Sequence, residues 1–410
     1  MGAYFDLSAA NAVLKELYFG QTPEDVVYRE NPALALIEKK TDAGGKYIPV
    51  PIIYGASQGR SSTFANAQAN QTPVLAAEWL VTRASDYSIA TIDNQTMLAT
   101  KGDKAAFVQG LKTVVDSAFR GATLSAASAM FRSGTGSIGL VNASGWSTGV
   151  ATLTNADDIV QFDVNMTVQA AATDGGAPRA AVGYVIGVDT MAGTLTVSTT
   201  LGGAAATPGS WAAGDYLLQS GDSNLKMKGF AAWLPTTAPA TSDNFFGVNR
   251  SASPTRLAGV RLAGSSLNIE EALIKEATFI GREGGHSDYA FQTFTSWAFL
   301  EMALGSKVQY VDVEVDTDAA IGFRAIRING PKGEIRVIPD RNCPNATCYV
   351  VQMDTWKLYS LNDVPHLFRY ADGLEALRVY NQDAAEARVG YYAQIGCSAP
   401  AWNGVVTLPV

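Results

Sequence analysis

Between residues 103 and 132 the apolar side chains fall on one helical stripe. Phe107, Leu111, Val114, Val115, Ala118 and Ala122 recur three or four positions apart, with Val114 and Val115 adjacent. Lys101, Lys112, Asp116 and Arg120 take a different face of the same wheel. The spacing predicts a long helix of roughly 45 Å at the standard rise per residue. Ser133-Gly134 supplies the stop.

The pattern upstream is extended. Residues 46–54, KYIPVPIIY, place two prolines inside an apolar run, which suits only an edge strand. A polar tip follows over 55–72. The chain returns through 78–92 with Trp79, Val81, Tyr87, Ile89 and Ile92 on strand-type sequence. These features predict a long two-stranded flap, and an isolated hairpin of that kind needs a neighbour to lie on. Residues 1–40 alternate short helical patches with breaks at Gly20, Pro23 and Pro32, the pattern of an arm without its own core.

Downstream of the helix the period changes to two. Val160, Phe162, Val164, Met166 and Val168 alternate with polar residues, as do Val182, Tyr184, Ile186 and Val188, and then Leu195 and Val197. A compact, mostly antiparallel β module is expected over about 137–222. The remainder mixes both types. Ile269, Leu273, Ala277 and Ile280 define an amphipathic helix, and 296–304 reads as a second. A hairpin is expected at 326–338 about residues 330–333, with late strands at 374–380 and 405–408. The class is α+β.

Composition narrows the function. The 410 residues carry a formal net charge of -8 and no basic run, which disfavours a protein whose main task is gripping phosphates. Three cysteines, Cys343, Cys348 and Cys397, make no disulfide framework and suit a reducing compartment. The first twenty residues lack the pattern of a secretory signal, and no run reaches the ~18 apolar residues of a membrane span.

Four motifs invite chemistry and none satisfies its requirements. Residues 55–59, GASQG, match the G-x-S-x-G elbow around Ser57, but 60–72 lack the helical periodicity the elbow needs. Only His286 and His366 could serve as its base. Residues 134–139, GTGSIG, match G-x-G-x-x-G, yet they close a helix and open a β region, the reverse of a dinucleotide site. Asp312, Glu314, Asp316 and Asp318 share a strand face without an EF-hand glycine or terminal glutamate. Cys343 and Cys348 lack the second ligand pair of a structural zinc site. No metal, cofactor or catalytic residue is expected.

The order of parts carries more than any motif. The sequence resembles the major capsid proteins of tailed bacteriophages, the family with the HK97-like shell fold. The resemblance rests on MFRSGTGSIGLV at 130–141, KGFAAWLP at 228–235 and the closing passage 372–408. It implies an N-terminal arm (1–40), an E-loop (41–93), the spine helix of a peripheral P domain (94–136), an inserted β domain (137–223), a P-domain continuation (224–310), an axial A domain (311–391) and a C-terminal return strand (392–410). It further implies hexamers and pentamers of this chain closing into an icosahedral shell around double-stranded DNA, assembled in the host cytoplasm. A scaffolding protein, a portal and, as an open option, a decoration protein are the implied partners, with the scaffold a separate chain or none. Ile52, Ile53 and Trp79 are the expected E-loop contacts to a neighbouring subunit. Lys101, Lys104, Lys112, Arg120 and Arg132 are the expected inward basic residues of the spine helix. The alternatives are an encapsulin-like compartment, another phage structural protein of the tail, or a serine hydrolase using Ser57.

Overall fold

The computed structural model describes residues 31–42, 44–94, 104–305, 308–315, 321–368 and 376–409, and within them all side chains except those of 104–113, 312–315, 321–323 and 376. The chain divides into two compact units. The smaller comprises 85–126 and 360–393 together with 1–30, which lie outside the described residues; the larger comprises 31–84, 127–359 and 394–410.

The smaller unit is built on helix α1, Lys104–Phe131, within a residue of the span that the stripe predicts. Val114, Val115, Ala118, Phe119 and Ala122 pack against Ala90, Leu367, Ala387 and Val389. Small alanines on the helix let it lie close to the strands it covers. Those strands are Ala84–Asp93, His366–Leu367, Ala376–Arg378 and Ala384–Cys397, the last pairing with each of the others. Ser125 Oγ donates to Asp86, and Tyr87, Phe368 and Tyr392 form a small aromatic group.

In the larger unit a seven-stranded mixed sheet forms the main layer. In spatial order its strands are Val260–Ala263, Gly404–Thr407, Thr347–Val351, Tyr289–Gln292, Gly333–Pro339, Ile321–Gly330 and Tyr310–Val315. Helices α2 (Ile269–Arg282) and α3 (Phe294–Leu304) share its core through Leu273, Ala277, Ile280, Leu300 and Leu304. The expected hairpin is present, with Ile326 opposite Val337 and Gly330 opposite Gly333. The expected domain border at 310/311 is corrected: it separates strands 310–339 from strand 289–292, their neighbour in one sheet. Residues 376–391 belong to the other unit.

Residues 137–219 close into a six-stranded antiparallel barrel, ordered Tyr216–Gln219, Ser137–Ser147, Val150–Leu153, Thr194–Ser198, Pro178–Asp189 and Thr167–Ala171. Val141, Leu153, Val168, Val185, Leu195 and Leu217 fill it, and Trp146 meets Trp211 at 5.2 Å. One expectation fails inside it. The alternating run 160–168 is not one strand, because 156–161 form a 3-10 turn and strand begins only at Thr167. Phe162 packs with Ile159 of the turn beside Val141 and Leu153, while Val164 of the alternating run is 50% exposed.

Polar contacts tie the barrel to the sheet. Arg132 pairs with Asp158, Arg341 donates to the Val160 carbonyl at 2.9 Å, and Gln161 donates to Asn342 at 3.2 Å. Asn342 also donates to Asn31 at 2.8 Å and to Asp340 at 3.1 Å, so the root of the N-terminal segment joins the same buried cluster. Burial pushes the Asp340 carboxyl up to about 6, against the hydrogen bonds from Asn342 and Ala33.

An aromatic cluster organises the rest of this unit. Trp233 lies edge-on to Trp79 at 5.1 Å and to Phe245 at 4.9 Å, while Phe230 meets Trp356 at 4.7 Å and Phe131 at 5.5 Å. Gly229 makes this possible, since a Cβ there would fall 2.1 Å from the Met130 carbonyl oxygen. Trp79 is wholly buried. We predict that Trp79→Ala lowers unfolding stability by about 3–5 kcal/mol, as cavity-forming aromatic deletions do; urea denaturation reads this directly, and a loss under about 1 kcal/mol contradicts the packing described.

Candidate assembly surface

The flap consists of strands Ile48–Gly55 and Leu75–Val81, paired antiparallel with Val50 opposite Trp79 and Ile53 opposite Ala76. Alternation gives it two faces. Val50, Trp79 and Val81 point into the aromatic core, whereas Ile53 on the opposite face is 71% exposed; Leu75 shares the face of Trp79 and, at the distal end, is 50% exposed. The distal end adds Phe64, on a short helix at the tip, and Val74, both exposed. The ribbon is tied at both ends: Leu80 N–H donates to the Phe246 carbonyl at 3.0 Å near its base, and Arg256 donates to the Tyr54 carbonyl at 2.6 Å at its distal end. Beneath the flap lies a groove of about 530 Å³, lined by Ile52, Ile53 and Ala77 on one side and Glu283, Ala399 and Trp402 on the other.

A two-stranded ribbon with one apolar outer face and no third strand is marginal in water. Its burden of exposed Ile, Leu and Phe is the kind of surface that marks a protein contact. Of the expected E-loop contacts, Ile53 is available and Ile52 is half-buried at the groove. Trp79 is a correction. It serves the chain's own core, because strand alternation turns it inward opposite Val50.

Helix α3 presents a second apolar face that sequence reasoning missed. Its inner side buries Ser296, Leu300 and Leu304, with Thr293 capping the Ser296 N–H. Phe294, Ala298, Phe299, Met302 and Ala303 are exposed on the other side, at spacings of four, one, three and one that make a single outward face. Phe294 is 60% exposed and Met302 66%. The acidic member of the helix, Glu301, accepts from the Tyr310 hydroxyl. The signal was present in FTSWAFLEMAL: a short helix apolar on every side has one face too many for a single sheet.

The basic spine residues are dispersed. Lys101 lies outside the described residues, as do the side chains of Lys104 and Lys112. Arg120 is on α1 and half-buried. Arg132 is corrected: it lies one residue past the helix, largely buried against Asp158, and fastens the barrel.

The chemical motifs resolve as turns and core. Ser57 is exposed in a loop, His286 bonds Asp288 at 2.8 Å, and His366 bonds the Asp363 backbone. Gly134 and Gly136 both have positive φ and turn the chain from α1 into the barrel. The three cysteines are free and buried, and burial pushes the Cys397 thiol up to about 12. Among the described residues no group of acidic, His or Cys side chains is arranged to hold a metal; Asp316 and Asp318, and the side chains of Asp312 and Glu314, lie outside them.

A chain of the cyanophage A-1(L) capsid asymmetric unit superposes on this structure with a TM-score of 0.51 at 13% identity, covering 95% of this chain and 98% of that one. The chain has a phage-capsid fold. Weaker likenesses run to the capsid of a native GTA particle (TM-score 0.48, 9% identity, 95% of each chain) and to the SrpI encapsulin of Synechococcus elongatus (TM-score 0.44, 7% identity, 99% and 96%). No protein-family profile and no curated protein sequence matches. The exposed Ser57 loop belongs to the flap. A fluorophosphonate probe is expected to leave Ser57 unlabelled by intact-mass analysis; stoichiometric labelling would restore the hydrolase reading.

Proposed function

We propose that this chain is the major shell subunit of a tailed-phage head. Copies associate as hexamers and pentamers and close into an icosahedral container for double-stranded DNA, with scaffolding, portal and decoration proteins as further partners. The observation that carries this reading is the capsid fold together with two apolar faces, on the flap and on α3, that the chain itself leaves uncovered. A closed shell supplies covers for both through heterologous contacts. Each contact is small, and closure makes many of them act together.

The charge distribution supports a sidedness. The barrel span 137–219 holds Asp157, Asp158, Asp163, Asp174, Asp189 and Asp215 against Arg179 alone among its acidic and basic residues. Arg179 is bound to Asp215 at 2.7 Å, so the barrel surface is anionic. In this proposal the barrel faces away from packaged DNA, outward or toward neighbours, where a decoration protein could meet it. The polar face of α1, to which the sequence assigns Lys104, Lys112 and Arg120, faces the interior in this proposal; Lys101, upstream of the helix, lies outside the described residues.

The test is expression alone and with the neighbouring scaffold gene, followed by negative-stain electron microscopy and sedimentation. Closed shells or five- and six-membered rings are expected. Ile53→Asp and Met302→Glu alter exposed positions, so each should leave thermal unfolding nearly unchanged, within about 0.5 kcal/mol. Each should also cut shell yield roughly tenfold or more. A persistent monomer even with scaffold, or normal shells from both variants, contradicts the proposal. Shells that copurify with an enzyme instead of nucleic acid would redirect it to a compartment protein.

A further inference from the structure

Helix α2 carries a residue that shell assembly leaves unexplained. Glu276 is wholly buried, and neither of its carboxyl oxygens has a hydrogen-bond partner. Leu273, Ala277, Ile280, Val350 and Val406 belong to the apolar core that α2 shares with the sheet. The slot for the carboxyl exists because residue 404 on the facing strand is glycine: a Cβ there would lie 1.9 Å from Glu276 Oε1. A one-atom side chain would thus expel the acid.

The charged surroundings are sparse. Strand Val260–Ala263 brings the Arg261 guanidinium, whose Nη2 donates to the carbonyls of Pro254 and Gly259 at 2.9 and 3.1 Å. Its Nε is buried and has no partner. Strand Thr347–Val351 brings the Cys348 thiol. Helix α3 and strand Ile321–Gly330 contribute Leu300, Leu304, Ile326 and Ile328 to this core. Their charged members are engaged elsewhere: Glu301 with the Tyr310 hydroxyl, Arg324 over the Tyr310 ring, and Arg327 with Glu334. The turn Pro400–Trp402 carries no charge.

An ionised carboxylate in such a place has lost water and gained no donor, so the site favours the neutral acid. Burial pushes the Glu276 carboxyl up to about 8, with Arg261 opposing only in part. Two groups thus lie in one core, each with an unmet polar atom, and they do not meet while the acid keeps its proton.

We propose that Glu276 is a proton-operated lock on helix α2. The neutral acid lets the helix seat over Gly404. Loss of the proton to solvent draws the carboxylate toward the unpartnered Nε of Arg261 and shifts α2 on the sheet. Because α2 packs directly on α3, the shift reaches the outward apolar stripe. The lock itself stands whether or not that stripe binds another copy.

The sign follows from linkage. A carboxyl raised above its ordinary 4.5 binds its proton more tightly in the folded chain than in the unfolded one. Its stabilising contribution is complete below about 4.5 and is lost as pH rises through about 8.

The test compares the full-length wild-type protein with Glu276→Gln, Arg261→Met and a glutamate-labelled sample. Isotope-edited infrared spectra of the wild type should show a protonated glutamate carbonyl at neutral pH that disappears as the pH passes about 8. The Gln variant should lack that band and, once the Asp340 carboxyl has titrated at about 6, keep its urea midpoint up to about 8 while the wild type continues to weaken. Arg261→Met removes the landing site and should move the wild-type loss to higher pH. No protonated glutamate at neutral pH overturns the lock, as do parallel pH profiles of wild type and Glu276→Gln. Should the Gln variant fail to fold, the infrared titration of the wild type alone decides.

Discussion

The larger unit depends on one packing arrangement, the ring contacts of Phe230 and Trp233, edge-to-face with Trp79, Phe131 and Trp356 and stacked on Phe291. Four elements meet there: the last turn of α1 through Phe131, the flap through Trp79, strand Tyr289–Gln292 through Phe291, and strand Trp356–Ser360 through Trp356. Large rings bury much apolar area with few rotors, and their edge-to-face geometry fixes mutual orientation as well as proximity. Trp233 adds a directional tie, donating its Nε1–H to the Ile395 carbonyl at 3.1 Å. A flap that would be marginal alone is thereby held at its base, while Ile53 and the tip residue Phe64 stay exposed.

The barrel is attached by a different kind of force. Its links to the sheet run through Arg132, Arg341, Asn342 and Asp340, all charged or amide side chains with buried partners. Such a joint has geometry that greasy contact lacks, because each donor must find its acceptor. The barrel keeps its own apolar filling around Val168, Val185 and Leu195, so it is a self-contained module held by a polar collar. That arrangement lets an anionic module be carried without exposing apolar surface at the junction.

Local periodicity was the most readable layer. The α1 stripe, the α2 stripe at Ile269, Leu273, Ala277 and Ile280, and the hairpin at 330–333 are each settled by neighbours close in sequence. What the chain does at long range was not readable. The seven-stranded sheet takes strands from 260, 289, 310, 321, 333, 347 and 404 in an order no local pattern records. Trp79 shows the same limit within the flap: alternation placed it on a face, but only its partner Trp233, 154 positions away, shows that this face looks inward. Run 160–168 alternates without being one strand: the 3-10 turn takes 160 and 161, Val164 is exposed, and strand starts at Thr167. The reading of 296–304 as a short helix assigns it no face, so the outward stripe of α3 does not follow from it.

If the account is right, the two uncovered apolar faces are covered by other copies of this chain. A cryo-electron microscopy reconstruction of the assembled particle tests that most directly. The account predicts subunits around five- and six-fold axes, with Ile53 and Leu75 of the flap and Phe299 and Met302 of α3 buried against neighbouring copies. A closed particle in which both faces remain open to solvent would contradict it.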